Sequence, residues 1–336
     1  MRQKTKKLNF LWIFTASLIV VFSLTSCGFF NKKTPEKFTE TAFFLDTIVS
    51  ITVYSEADSA MLPKCLELCA EYEKIFSRTD SESELFALNE CGSMAVSEHL
   101  LNVISTAKMY SEISEGRFDF TMGAVSSLYN FSSESPALPS DSELKEAMSH
   151  VGWENIIIDG DTITLNDGEA IIDLGAIAKG YIADRLADLL RENGVESAII
   201  DLGGNILCLG AKPDGSQFKV GIQYPYKDSS QYITAVSITD MSVVTSGVYQ
   251  RYFEQGGVRY HHILDPDTGV SIDNGLISVS IIGEKSVDCD ALSTTVFALG
   301  LEKGMELINS LENTYAVFIT EDMTIHYSNG FDVLER

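Results

Sequence analysis

Basic residues are scarce in this chain: 24 Lys and Arg stand against 48 Asp and Glu in 336 residues, a formal net charge of −24. A nucleic-acid partner needs clustered Lys and Arg against the phosphate backbone, so that class is excluded. The acid is spread along the sequence and reads as a solvated surface. Cysteine is present without a framework. Cys27, Cys65, Cys69, Cys91, Cys208 and Cys289 follow no zinc or disulfide spacing. With Cys27 set aside, an odd five remain, and all five read as small buried hydrophobes. Cys65 and Cys69, four apart in a helical stretch, read as a core pair. Histidine is limited to five residues. No repeat period and no interior low-complexity linker is visible. Apolar content of 45% is enough for a substantial core.

The N-terminus is built differently. "MRQKTKK" is basic, "LNFLWIFTASLIVVFSL" is apolar but short for a membrane span, and "LTSC" ends on Cys27. This is a signal-peptide layout closing on cysteine, and it resembles a bacterial lipoprotein signal over residues 1–26 with Cys27 lipidated. An uncleaved anchor is the alternative. Either places the remaining chain outside the cytoplasm, anchored to the membrane. Losing residues 1–26 removes four basic groups and no acids, leaving a charge of about −28. Residues 27–37 read as a tether and 38–336 as a single domain.

Along that domain, "FFLDTIVSITVYS" (43–55) reads as a strand and "ADSAMLPKCLELCAEYEKIF" as an amphipathic helix with Leu66, Cys69, Tyr72 and Phe76 on one face. Further helices are expected around 84–91, over 97–115 and over 176–193, and through "DCDALSTTVFALGLEKGMELINS". A hairpin-like strand pair turning at Asp159-Gly160 is expected through "NIIIDGDTITLNDGEAIIDL", whose last residues are 170–174, and strands at "SAIIDLGGNILCLG", "FKVGIQYP", "YITAVSITDMSVVTSG", "VRYHHILDP", "LISVSIIG" and "YAVFITEDMTIHYS". Hairpins among them predict an α+β fold with mixed or antiparallel sheets flanked by helices.

Four stretches carry candidate chemistry. In "IIDLGAIAKGYIAD" a strand ends at Asp173, Gly175 permits a tight turn, and Lys179 lies in or near the first turn of a helix. A cation there opposes the helix dipole, which makes sense if an anion occupies the N-terminus. The order Lys-Gly without a following Ser or Thr is not a Walker A loop. A packing glycine beside a solvated Lys179 is the competing reading. In "DCDALSTTVFALG", Asp290 and Thr294 are four apart on one helix face, a carboxylate and a hydroxyl suited to Mg²⁺ or Ca²⁺ and not to zinc. The competing reading has Asp288 and Asp290 capping the helix. In "VVTSGVYQRYFEQGGVRYHHILDPDTG", Thr245 and Ser246 could meet a phosphate or an adenine edge, and His261 and His262 must face opposite ways if both lie in a strand. "GRFDFTMGAV" sets Thr121 and Gly123 beside Asp119, with the glycine suggesting close backbone approach.

Taken in order, "FDFTMG", "IIDLGAIAKGYIAD", "LGGN", "TSGVYQRYF", "YHHILDPDTG" and "DALSTTVFALG" resemble the motifs of the ApbE family, the FAD:protein FMN transferases, over roughly Thr41 to Phe331. The resemblance implies that FAD is bound with Mg²⁺, its pyrophosphate cut, FMN passed to a threonine hydroxyl on a target protein, and AMP released. It implies that the Ala176 carbonyl, Asp290 and Thr294 hold Mg²⁺. It places Leu45, Thr79, Thr121, Met122, Gly123, Asp173, Lys179 and Leu264 against FAD, with Asp290 and His262 catalytic. His262 is the candidate base and His261 structural. The target would be a membrane electron-transfer subunit or exported flavoprotein bearing a threonine flavinylation motif. No full copy of that motif occurs in this chain.

The sequence departs from the family pattern in three places. Leu45-Asp46-Thr47 stands where members start with Met. Thr79 stands where many carry a larger side chain lining the flavin site. Ala124 follows Gly123 where Pro is usual. Rival expectations are a Mg²⁺-dependent FAD pyrophosphatase with water as acceptor, a non-catalytic flavin-binding lipoprotein, and a structural surface lipoprotein.

Overall fold

Period-two alternation builds the centre of the molecule. In the strand Thr47–Val53 the side chains of Val49, Ile51 and Val53 are buried and those between are not. A computed structural model of the chain describes residues 36–131, 133, 135–226 and 231–334. The expected signal peptide, Cys27 and all but the last two tether residues lie outside them. Lys37–Arg336 forms one compact unit.

Its main sheet has eight strands in the order Phe38–Phe44, Thr47–Val53, Ala198–Leu202, Asn205–Leu209, Met241–Gly247, Leu276–Gly283, Tyr315–Thr320 and Ile325–Tyr327. Every neighbouring pair is antiparallel. Leu276–Gly283 is buried along its whole length, so both faces of the sheet are covered. Alternation sorts the side chains into two cores. Leu207, Val244, Val279, Ile281, Ala316 and Phe318 face the core shared with the helices. Cys208, Val243, Ile282, Val317 and Ile319 face a second core under the hairpin Phe218–Gln223 and Tyr232–Ile238. The helices Leu62–Phe76, Glu98–Ile113, Ala178–Glu192 and Ser286–Asn309 pack on the first face. This is the α+β architecture expected.

Three expectations need correction. Residues 43–55 do not form one strand. Leu45 and Asp46 take φ of 54° and 55° and turn the chain into the hairpin Phe38–Phe44/Thr47–Val53. No Asn-Gly or Asp-Gly marks that turn. The Glu73 carboxylate accepts the Leu45 N–H at 2.8 Å and holds it from outside. "YITAVSITDMSVVTSG" likewise divides at Asp240 (φ 50°), one half going to each sheet. Residues 170–174 join no sheet. They make a single bridge, Met122 to Ile171, and the Asn89 side chain takes the place of a neighbouring strand. Its Oδ1 accepts the Ile172 N–H at 2.9 Å and its Nδ2 donates to the Ile172 carbonyl at 3.0 Å.

The helix Ser286–Asn309 is interrupted at Gly300 (φ 80°, ψ 175°). Cys65, Cys69, Cys208 and Cys289 are buried and unpaired, and burial raises the Cys65 thiol to about 11 and those of Cys69 and Cys208 to about 12. Cys91 is exposed, contrary to expectation, because it is the last residue of the helix Glu84–Cys91 and precedes the left-handed Gly92.

Candidate active site

The site grows out of two helix N-termini brought face to face. Neither Ile177, preceding Ala178–Glu192, nor Lys285, preceding Ser286–Asn309, caps its helix with a side chain. Each helix instead lends the other a carboxylate. Asp184 of the first accepts the N–H groups of Ser286 and Val287 at 2.8 and 3.0 Å. Asp290 of the second accepts the N–H of Gly180 at 2.8 Å. The expected capping by Asp288 and Asp290 is thereby corrected. Asp288 accepts from the Tyr110 hydroxyl at 2.9 Å, and the cap comes from Asp184. The exchange needs Gly180, since a Cβ there would stand 2.3 Å from the Ser286 carbonyl oxygen. Gly180 is the packing glycine, and it serves helix against helix.

The loan of Asp290 has a consequence one turn back. Gly180 N–H would ordinarily close a helical bond on the Ala176 carbonyl. It goes to Asp290 instead, and the Ala176 carbonyl has no backbone partner among the described residues. Lys179 donates to the Gly175 carbonyl at 2.8 Å and lies 4.0 Å from Asp290 Oδ2. Thr294 lies one turn beyond Asp290, and its Oγ1 is 3.2 Å from Ser246 Oγ, which is also 2.8 Å from Ser293 Oγ. Thr245 faces the other way in the strand, onto Ser280 at 2.7 Å. Of the pair proposed from sequence, only Ser246 therefore reaches this group.

A second cluster borders the Gly175 turn. Asp173 accepts the Gly175 N–H at 2.9 Å on Oδ1, and its Oδ2 is 2.9 Å from Arg78 Nε. Its own N–H donates to the Phe120 carbonyl at 2.8 Å. Gly123 opens the short helix Gly123–Tyr129 and packs on Ile171 so closely that a Cβ would lie 2.6 Å from the Ile171 carbonyl oxygen. Met122 and Leu264, distant in sequence, share one apolar cluster with Val125 and Tyr129. Thr121 faces inward. Its buried hydroxyl donates to Asp119 at 2.6 Å and accepts the Gly152 N–H at 2.9 Å. Thr79 is exposed in a turn with Ser77, and its neighbour Arg78 enters the Asp173 cluster.

The two histidines are placed differently. His261 is buried, with Nε2 3.0 Å from the Ile272 carbonyl and its ring against Phe297. His262 lies just past the strand Val258–His261, with Nδ1 3.3 Å from the Arg251 carbonyl. A carbonyl can only accept, so Nδ1 carries the hydrogen and Nε2 keeps a lone pair. Burial first, then the Arg251 charge, hold the His262 pKa well below the ordinary value, and Lys179 acts in the same direction. The ring is neutral at pH 7. The Arg251 side chain donates to the Asp46 carbonyl at 3.3 Å, which brings the Leu45 turn to this corner.

Asp184, Arg78, Asn89 and Arg251 were not singled out as functional from sequence. Their residue types are ordinary there. Only Asp184 gave a signal in retrospect, as an acid six residues beyond the helix start.

The residues present fit a hard cation. Asp290 is 4% exposed, one of its oxygens makes no hydrogen bond among the described residues, and the freed Ala176 carbonyl and the Thr294 hydroxyl are neutral oxygens. Among the described residues no three His, Cys, Asp or Glu side chains come together as a cage. A cation here would complete its shell with water and phosphate oxygens, the Mg²⁺ habit.

This oxygen-rich, lysine-flanked corner sits on an antiparallel α+β core. The model of the ApbE family matches residues 45–319. The chain is 33% identical to the FAD:protein FMN transferase of Treponema pallidum over 95% of this chain and 94% of that one. It is 34% identical to that of Klebsiella pneumoniae over 86% and 90%. The solved ApbE protein of Thermotoga maritima superposes with a TM-score of 0.83 at 31% identity, covering 90% of this chain and 100% of that one. The flavin transferase ApbE of Vibrio cholerae gives 0.81 at 27% identity, with the same coverage. The chain belongs to the ApbE family.

Proposed function

We propose that this protein is an FAD:protein FMN transferase that uses Mg²⁺ and a threonine hydroxyl as acceptor. The observation that carries the reading is the loan of Asp290 to Gly180, which frees the Ala176 carbonyl beside a carboxylate and a hydroxyl in an ApbE-family chain. Asp290, Thr294 and the Ala176 carbonyl would hold the ion, which when bound neutralises pyrophosphate charge and acts as a Lewis acid. Lys179 adds a fixed positive charge at the same helix N-terminus, where phosphate is favoured. Met122, Gly123 and Leu264 offer an apolar wall for the flavin end.

In the transfer the acceptor oxygen forms a bond to the FMN phosphorus, the anhydride P–O bond breaks, and AMP leaves with that electron pair. His262 Nε2 takes the hydroxyl proton. Its lowered pKa keeps it unprotonated, and a bound anionic pyrophosphate raises its basicity where the proton is released. Anchoring through a lipid on Cys27, outside the cytoplasm, is supported by the signal layout of residues 1–26 and would place the enzyme beside membrane electron-transfer subunits.

The test is the purified full chain in detergent with FAD, Mg²⁺ and a protein bearing the threonine motif, followed by intact mass and free AMP. Target mass rising by one FMN, with AMP released and both lost in EDTA, is expected. AMP without a mass change would make the protein a pyrophosphatase, and intact FAD throughout a flavin-binding lipoprotein. His262→Ala should lower transfer by about 10²–10⁴-fold with FAD binding retained. Unchanged transfer across pH would remove the base assignment.

A further inference from the structure

Arg78 lies outside every motif that carried the family resemblance, yet it ties Asp173 of one to the helix that begins at Gly123, the end of another. Its Nε is 2.9 Å from Asp173 Oδ2, Nη1 donates to Ser127 Oγ at 2.8 Å, and Nη2 donates to Ser126 Oγ at 3.3 Å. Both serines belong to the helix opened by Gly123 and reach its carbonyl, at 3.2 and 2.7 Å. Ser126 Oγ is also 3.2 Å from Asp173 Oδ2. An exposed ion pair with one loose contact contributes little. The Arg78 side chain is three-quarters covered and its guanidinium has three nitrogens engaged, and a planar fork so held has one orientation.

What Arg78 fixes is the turn ahead of the helix Ala178–Glu192. Asp173 Oδ1 holds the Gly175 N–H and Lys179 holds the Gly175 carbonyl, so the residue is gripped from both sides. The next carbonyl is that of Ala176. The fit is close, since a Cβ at Gly175 would lie 3.1 Å from Asp173 Oδ1. The guanidinium also neutralises Asp173 locally, which leaves Asp290 as the anionic oxygen donor for a cation.

We propose that Arg78 is a positioning residue: by locking Asp173 it sets the Gly175 turn and so aims the Ala176 carbonyl at the Mg²⁺ position. The inference rests on the transferase reading and deepens it. Outer partners that orient a ligand typically change metal affinity by about 10–100-fold when lost.

The experiment titrates Mg²⁺ into the full chain with FAD and reads flavin fluorescence, beside FMN transfer and the thermal midpoint. Arg78→Lys, which keeps the charge and loses the fork, should raise the Mg²⁺ needed for half-maximal fluorescence change about tenfold. Transfer at saturating Mg²⁺ should be largely restored. Asp173→Asn should raise the Mg²⁺ requirement likewise, whatever it does to transfer, and Arg78→Ala/Asp173→Asn should need no more Mg²⁺ than Asp173→Asn alone, because the two act in series. Wild-type Mg²⁺ dependence in Arg78→Lys, or effects that multiply in the double variant, would overturn the inference even if Arg78→Ala failed to fold. A wild-type chain whose FAD signal ignores Mg²⁺ would instead overturn the cation reading, and this inference with it.

Discussion

Asp184 and Asp290 do the same thing in opposite directions, and the protein uses them differently. Each leaves its own helix to cap the other's N-terminus. Asp184 spends both oxygens on backbone N–H groups, and burial raises its pKa to about 6 despite them. Asp290 spends one oxygen, keeps the other, and lies near Lys179. A fully satisfied carboxylate is structural. A half-satisfied one beside a freed carbonyl is where a ligand belongs.

The sharpest way to break this contrast is Asp290→Ala. Transfer should fall by on the order of 10³-fold or more, since the variant removes the only charged oxygen of the proposed cation site. A parallel Asp184→Ala should instead lose mainly stability. AMP release by Asp290→Ala at wild-type rate would end the distinction. Next in size is Gly180→Ala, which forces the two helices apart at the exchange. Overpacking should cost about 1–3 kcal/mol in urea unfolding and weaken Mg²⁺-dependent FAD binding. An unchanged midpoint would mean that the helices yield there freely.

The smallest effect is on pH dependence. Folded Asp184 holds its proton to about pH 6, whereas an unfolded aspartate releases it near its ordinary pKa of about 3.9. Between those values the folded state binds more protons, so this group's contribution to stability falls as pH rises and is level above about pH 6. Asp184→Asn should lack that fall. Unfolding midpoints of the two proteins compared from pH 4 to 7 should diverge in slope below about pH 6, and parallel curves would contradict the raised pKa.

Much of the fold was legible in residue order. Alternation in "TIVSITV" and the 3.6-residue face through Cys69, Tyr72 and Phe76 gave elements where they occur. The Leu45–Asp46 turn was not legible, because Glu73 stabilises it from 28 residues away. Residues 170–174 looked like a strand because they are extended and apolar. Their pairing partner is the Asn89 side chain, which no periodicity reveals. In the site, Gly123, Lys179, Asp290 and Thr294 were singled out from residue type and spacing, and Met122, Asp173 and Leu264 from motif resemblance. The structure gathers Asp290 with Lys179 and Gly180, and Met122 with Leu264. Thr79 is exposed, and the buried Thr121 bonds Asp119 and the Gly152 N–H through its hydroxyl.

By itself, then, the sequence determined the alternating strands, the amphipathic helices and the family motifs, because each is written in neighbours a few residues apart. Tertiary structure alone decided that Gly180 meets Asp290 across 110 positions and Ser286 meets Asp184 across 102. A helix N-terminus must find acceptors for its free N–H groups, but local sequence does not say whose. Here the close approach at Gly180 chose them, and in choosing them it left the Ala176 carbonyl open.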